Sequence, residues 1–226
     1  GGGDDDNSGQ GNGGGDDNGT GTGTGTGNGD GDDDHGSGPT VKITSDDSSL
    51  KIGETAKITF KFSAKVTGFA TSDIAVTGGA LSNLTASSDG KTYTATFTPT
   101  AGTNSGTGTI KVAAGSYTDS SGNAGSAGTS PDISFDTKAP AVAITSSVST
   151  VQPGQTAVIT FTFSEKPDGF KANDIATTGG TLSNLQVSSG NDKVYTATFT
   201  AAANASGTAS ITIAAGKYED AAGNAG

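Results

Sequence analysis

Four oxygen-bearing side chains are the best candidates for chemistry in this chain: Asp136, Glu165, Asp220 and Asn224. They come from three separated stretches, "FDTKAP" (135–140), "SEKPD" (164–168) and "EDAAGN" (219–224). Clustered hard oxygen donors without His or Cys suit calcium better than a transition metal. Carboxylates brought together repel unless a cation bridges them. A plainer use exists for each residue. Glu165 serves equally as a solvated loop residue, and Asp220 and Asn224 as turn formers. Both uses stay open at this level.

Whether these residues meet depends on the elements that carry them, and those elements are repeated. Pro39 and Pro140 begin near-identical stretches. "GETAKITFKFS" (53–63) matches "GQTAVITFTFS" (154–164), and "GFATSDIAVTGGALSNL" (68–84) matches "GFKANDIATTGGTLSNL" (169–185). "KTYTATFT" (91–98) matches "KVYTATFT" (193–200), and "IKVAAGSYTDSSGNAG" (110–125) matches "ITIAAGKYEDAAGNAG" (211–226). A period near 100 residues is that of whole domains in tandem, too long for a solenoid repeat.

Within each copy apolar residues recur every second position, as in Ile58, Phe60 and Phe62, or Tyr93, Ala95 and Phe97. That spacing buries one face of a strand. Gly, Asn, Asp and Ser clusters separate the runs, and no segment keeps a helical period. The pattern predicts an all-β chain of two tandem immunoglobulin-like β-sandwiches, each of seven short strands. The last strand of the first copy is expected over Thr129–Phe135 and the first of the second over Ala141–Thr145. The immunoglobulin disulfide and Trp have no counterpart here. The phenylalanines of the second strand and the aromatic pair of the fifth are expected to fill that space. The domain reading is 1–38 leader, 39–136 first sandwich and 137–226 second sandwich. The second copy stops at "GNAG", before any match to the final strand, so the reading expects it to lack that strand and the protein to continue.

The leader holds nine Asp, no Lys and no aliphatic or aromatic residue. With nothing to bury, it cannot offset the entropy of ordering and is expected to be a disordered Gly/Asp-rich tether. Its Asp-Gly clusters lack the recurring apolar residue that stacked calcium repeats need. A tether of this kind also follows the lipid-modified cysteine of bacterial lipoproteins, but this sequence has no cysteine.

The net charge of −11 sits largely in that leader; beyond it 14 acidic residues face 12 Lys. That balance offers no basic patch for nucleic acid and none for anionic membrane. No apolar run is long enough for a membrane span. The complete lack of Cys removes disulfides, thiolate sites and cysteine nucleophiles. The single histidine, His35, lies in the leader, so no serine–histidine pair is available, and the exposed loop carboxylates have no evident apolar pocket to tune them. The reading is therefore of a non-enzyme. Asp73 and Asp174 read as turn-capping residues. The threonine rows read as ordinary exposed strand positions and not as an ice-binding face. Lys61 points outward and is replaced by Thr162 in the second copy, which argues against an internal isopeptide bond.

Threading seven strands up and down a sandwich gathers the loops after the second, fourth and sixth strands at the pole where the chain comes in. In the second copy those loops carry Glu165, the Gly190–Asp192 turn and Asp220 to Asn224, and the chain arrives there through Asp136. The first copy has Ala64 in place of Glu165 and no acid in the Gly-Ser-Gly stretch before Pro39, while Asp119 and Asn123 remain. The segments "FSEK", "GF…DI…TGG.LSNL", "YTATFT", "AAG.Y.D..GNAG" and "DT.AP" resemble the bacterial Ig-like repeats of large surface adhesins and biofilm-associated proteins. The resemblance covers nearly all of residues 39–226. It implies calcium at domain joints, neighbouring Ig-like repeats as partners, and an extracellular or cell-surface location. It further implies a spacer role that presents a host or cell-surface ligand site through the full-length protein. Two other readings stand beside it: a module that itself binds a glycan or protein, and an accessory linker of an extracellular enzyme.

Overall fold

The computed structural model describes residues 37–226 apart from Ala205. The expected leader lies, for residues 1–36, outside the described residues. The first sandwich contains β1 (Val41–Ser45), β2 (Ser49–Leu50), β3 (Ala56–Phe62), β4 (Val66–Thr67), β5 (Ile74–Thr77), β6 (Gly79–Ala86), β7 (Thr92–Pro99), β8 (Gly106–Val112), β9 (Thr118–Asp119), β10 (Gly128–Thr129) and β11 (Ile133–Phe135). The second contains β12 (Val142–Ser146), β13 (Thr156–Phe163), β14 (Ile175–Thr178), β15 (Gly180–Ser188), β16 (Asn191–Ala201) and β17 (Ser210–Ile213).

One sheet of the first sandwich runs β1-β3-β7-β6, and the facing sheet joins β5, β10 and β11 to β8, with β2 beside β11. The second sandwich repeats the first sheet as β12-β13-β16-β15, while its facing sheet is the pair β14-β17. The alternation read from the sequence is the alternation of burial. In β3 the pattern places Ala56, Ile58, Phe60 and Phe62 inside and Lys57 and Lys61 outside. Among the described residues no helix is long and apolar enough to cross a membrane.

The expected single last strand, Thr129–Phe135, is two. β10 pairs Gly128 with Val112 and β11 pairs Ile133 with Gly108, so one extra residue is taken up between them. Pro131 sits in that gap and has no N–H to give to a ladder. Ser130 bridges the break, its N–H donating to Ile110 O at 2.8 Å and its hydroxyl accepting from Ile110 N at 3.0 Å. A bulge also interrupts β6 and β15, where Asn83 and Asn184 take φ of 56° and 55°. Asparagine tolerates this left-handed conformation better than most residues.

Aromatic rings occupy the space of the missing disulfide. Phe62 stands edge-on to Phe69 at 5.0 Å and to Tyr117 at 4.8 Å. Phe163 repeats this with Phe170 and Tyr218, at 4.9 Å each. Edge-to-face pairs at this spacing add to the area they bury. Asp73 and Asp174 cap short turns as read: their carboxylates accept from Ala70 N and Lys171 N at 2.8 and 2.9 Å.

Phe60 and Phe161 are each fully buried at matching positions of the two sandwiches. Replacing either with Ala should cost about 3–5 kcal/mol. Because the second core is the less completely buried, two thermal transitions are expected, with Phe161→Ala moving the lower and Phe60→Ala the upper. Calorimetry on the two variants checks the assignment; one shared transition shifted equally by both would refute it.

Candidate metal centre at the joint

The strand pairing decides which loops meet. Val142 lies opposite Phe163, so the chain leaving Pro140 runs beside the end of β13. Ala141 and Ser164 clasp each other there: Ala141 N donates to Ser164 Oγ at 2.9 Å, and Ser164 N to Ala141 O at 2.8 Å. The loop bearing Glu165 is thereby stitched to the joint. The 219–224 loop is stitched to it in turn, as Asp168 N donates to Glu219 O at 2.7 Å and Glu219 N to Asp168 O at 3.1 Å. Behind them the Tyr218 hydroxyl reaches Pro140 O at 3.5 Å.

Asp220 shapes its own loop. Its Oδ1 accepts from Ala222 N at 2.9 Å and Asn224 N at 2.8 Å, an aspartate-centred turn. The first copy makes the same turn, with Asp119 Oδ1 accepting from Ser121 N and Asn123 N at 2.9 Å each. Turn formation is therefore common to both copies. It pulls the Asp119 carboxyl below the ordinary carboxylate range, chiefly through the side-chain bond from Asn123.

What the second copy adds is convergence. Asp136, Glu165 and Asp220 each present a carboxylate oxygen, and the three oxygens lie within 4.8 Å of one another. Asp220 is only 2% exposed, and the other two are half-buried. Glu165 Oε1 is buried and has no hydrogen-bond partner. Burial pushes the Glu165 carboxyl up, and the neighbouring charges of Asp136 and Asp220 push it further, against Lys193 and Lys138. Two unit charges 4 Å apart repel by roughly 4 kcal/mol at an effective dielectric of about 20. A buried carboxylate oxygen without a partner, facing two further carboxylates, fits a hard divalent cation: all the donors are anionic oxygens.

Asn224 departs from expectation. Its side-chain carbonyl was expected to face the acids, but Oδ1 accepts from Ile52 N of the first sandwich at 2.8 Å. The amide nitrogen turns to the cluster instead, donating to Asp220 Oδ2 at 2.8 Å and to Asp136 O at 3.1 Å. An N–H can bond only the oxygen of a carboxamide, so Ile52 fixes the orientation. Asn224 is a latch between the sandwiches and not an oxygen ligand in this arrangement. Lys51 adds to it, its Nζ donating to Gly223 O at 3.3 Å. Neither Lys51 nor Ile52 carried any signal in the sequence. Asp192 lies apart, in an exposed pairing with Lys166 at 3.9 Å.

Two outcomes follow. Asn224→Ala should leave both cores intact while lengthening the distance distribution between labels placed on the two sandwiches, measured by electron–electron resonance. The second concerns pH in chelator. The folded Glu165 carboxyl titrates above its unfolded value, so the folded state holds the proton more tightly. Stability of the second sandwich should be fullest below the unfolded pKa and fall as pH rises through the folded one. Glu165→Gln should flatten that fall; an unchanged pH profile would contradict it.

A sequence profile for the bacterial Ig-like domain matches residues 35–135 and again 136–226. No curated protein matches the chain. Among solved structures it is similar to InvD of Yersinia pseudotuberculosis, at 20% identity and a TM-score of 0.29, over 78% of this chain and 58% of that one. It is also similar to the adhesin InvE of the same organism, at 15% identity and a TM-score of 0.29, over 82% of this chain and 56% of that one. The chain thus spans a little over half the length of those two structures. With the profile matched twice in succession across both sandwiches, the chain belongs to the bacterial Ig-like domain family.

Proposed function

We propose that this chain is a non-catalytic spacer and presentation segment of a bacterial surface or secreted adhesin, with calcium stiffening the joint between its two Ig-like domains. The observation that carries this reading is the meeting of Asp136 with Glu165 and Asp220. Asp136 immediately follows β11 of the first sandwich, whereas Glu165 and Asp220 belong to loops of the second. A cation held by all three ties the end of one domain to the head of the next. Bound there, it supplies only charge compensation and a cross-link. The protein's own residues do the positioning. Pro140 restricts the backbone just beyond the acids. Asn224 spans the gap to Ile52, and the Asp220 turn holds one carboxylate ready.

The first sandwich supports the same reading by contrast. Ala64 stands where Glu165 stands in the second copy, and among the described residues the Asp119 turn belongs to no cluster of three acids. A tandem whose joint is locked transmits force and holds a terminal site away from the surface. Its work is mechanical, and the loop acids are spent on the joint.

Calcium titration with small-angle scattering tests this. Calcium should narrow the spread of domain orientations and chelator should restore it. Asp136→Ala should leave both thermal transitions in place while abolishing the calcium response. A maximum dimension indifferent to calcium and chelator would defeat the stiff-joint reading, and unfolding of a domain by Asp136→Ala would remove that residue from the joint.

A further inference from the structure

The charges beyond residue 38 nearly balance in number, but they are unevenly placed. The outer face of the sheet β1-β3-β7-β6 carries three exposed lysines, Lys42 on β1 and Lys57 and Lys61 on β3. Lys42 and Lys61 stand directly opposite each other across the strand pair. Cα atoms so paired are about 5 Å apart, a spacing at which like charges destabilise a sheet. Lys57 lies on the same face four residues along β3, about 14 Å from Lys61 at ordinary strand rise. Among the described residues none of the three makes an ion pair; the one ion pair is Lys166 with Asp192. Asp46 borders the face, but its carboxylate accepts from the main-chain N–H of Lys57 at 2.7 Å.

Between the two lysine rows runs a row of hydroxyls. Thr44, Thr59, Thr94 and Thr85 lie side by side across the four strands. Thr92 continues the row of Lys42 and Lys61, and Thr96 and Ser82 continue the row of Lys57. No acid and no aromatic interrupts these rows.

The second sandwich keeps the hydroxyls and drops the charge. In the matching register Ala143 and Thr162 replace Lys42 and Lys61, and Val158 replaces Lys57. Thr145, Thr160 and Thr196 repeat the central row. The same sheet is therefore built without the opposed lysines, which point away from the core and contribute nothing to its packing.

We propose that this face of the first sandwich binds a polyuronate, an anionic polysaccharide whose charges are carboxylates. The face is rich in hydroxyls and sparse in charge, and a polyuronate has the same make-up, one carboxylate and several free hydroxyls on each sugar. Nucleic acid carries a phosphate on every nucleotide and bases that stack on aromatic platforms, which this face lacks. Lysine holds a carboxylate as a hydrated point charge, without the fixed geometry of an arginine fork. A row of carboxylates laid over β1 and β3 offsets the opposition of Lys42 and Lys61 and reaches Lys57 further along.

The test uses the full chain and immobilised polygalacturonate, in chelator and at low salt. Interferometry should show saturable binding that weakens as salt rises, because exposed charges are screened. Lys42→Ala, Lys57→Val and Lys61→Thr together give the first face the residues of the second. That variant should bind about tenfold weaker, the combined effect of three exposed ion pairs, with both thermal transitions kept. Ala143→Lys, Val158→Lys and Thr162→Lys together should strengthen binding severalfold by making a second such face. An equal loss on neutralising Lys111, Lys166 and Lys171, which lie off this face, would overturn the proposal. So would duplex DNA or uncharged dextran bound as tightly as polygalacturonate. Carbodiimide cross-links from the three lysines to leader aspartates, undiminished by saturating polygalacturonate, would also overturn it by making the leader the occupant. Calcium is absent throughout, so failure here leaves the joint reading untouched.

Discussion

Everything at the joint rests on one packed aromatic cluster. Phe163, Phe170, Tyr195 and Tyr218 meet edge to face beneath the pole of the second sandwich. Tyr218 carries the load upward, because its ring is 5% exposed while its hydroxyl faces Pro140 O. Phe163 ends β13, two residues before Glu165, and Tyr218 lies two residues before Asp220 in its loop. Rings locked by burial leave the loops little freedom, and so the carboxylates are delivered to one place. Phe62, Phe69, Tyr93 and Tyr117 do the same in the first sandwich, where Tyr117 donates to Pro39 O at 3.1 Å.

Upon that base the two copies differ in electrostatics. In the first, Asp119 accepts several hydrogen bonds that favour its charged form. In the second, the same turn is placed against two more carboxylates, one of which has a buried oxygen without a donor. Near-identical backbones thus carry opposite local situations: one satisfied, one strained by like charge. The difference comes from Glu165 in place of Ala64 and from the neighbouring domain's Asp136.

The copies differ again at the far side of the sandwich. In the first, β11 seals the facing sheet and draws Ile110, Val112 and Leu50 out of water. The matching strand of the second sandwich, β17, is four residues long where β8 is seven. Sheet edges offer unpaired N–H and C=O groups, and a side chain at an edge has neighbours on one flank only. Burial and hydrogen bonding are lost together there, which ties the half-buried Ile211 and Ile213 to the shortened β17.

The sequence by itself determined the fold class, the tandem of two, the inward face of each main strand and the aromatic fill, because burial alternates with period two and the pattern is written twice. It also marked Asp136, Glu165 and Asp220 as acids at one pole, since loop positions follow from strand count. The tertiary structure alone decided the role of Asn224: an asparagine carries both a donor and an acceptor, and only the N–H of Ile52, 172 residues away in sequence, fixes which one faces the acids. The bulge that splits Thr129–Phe135 belongs to the same class, as it depends on the register against β8. Contacts between residues far apart in sequence set these two features, and a local pattern records only what a residue owes to its neighbours along the chain.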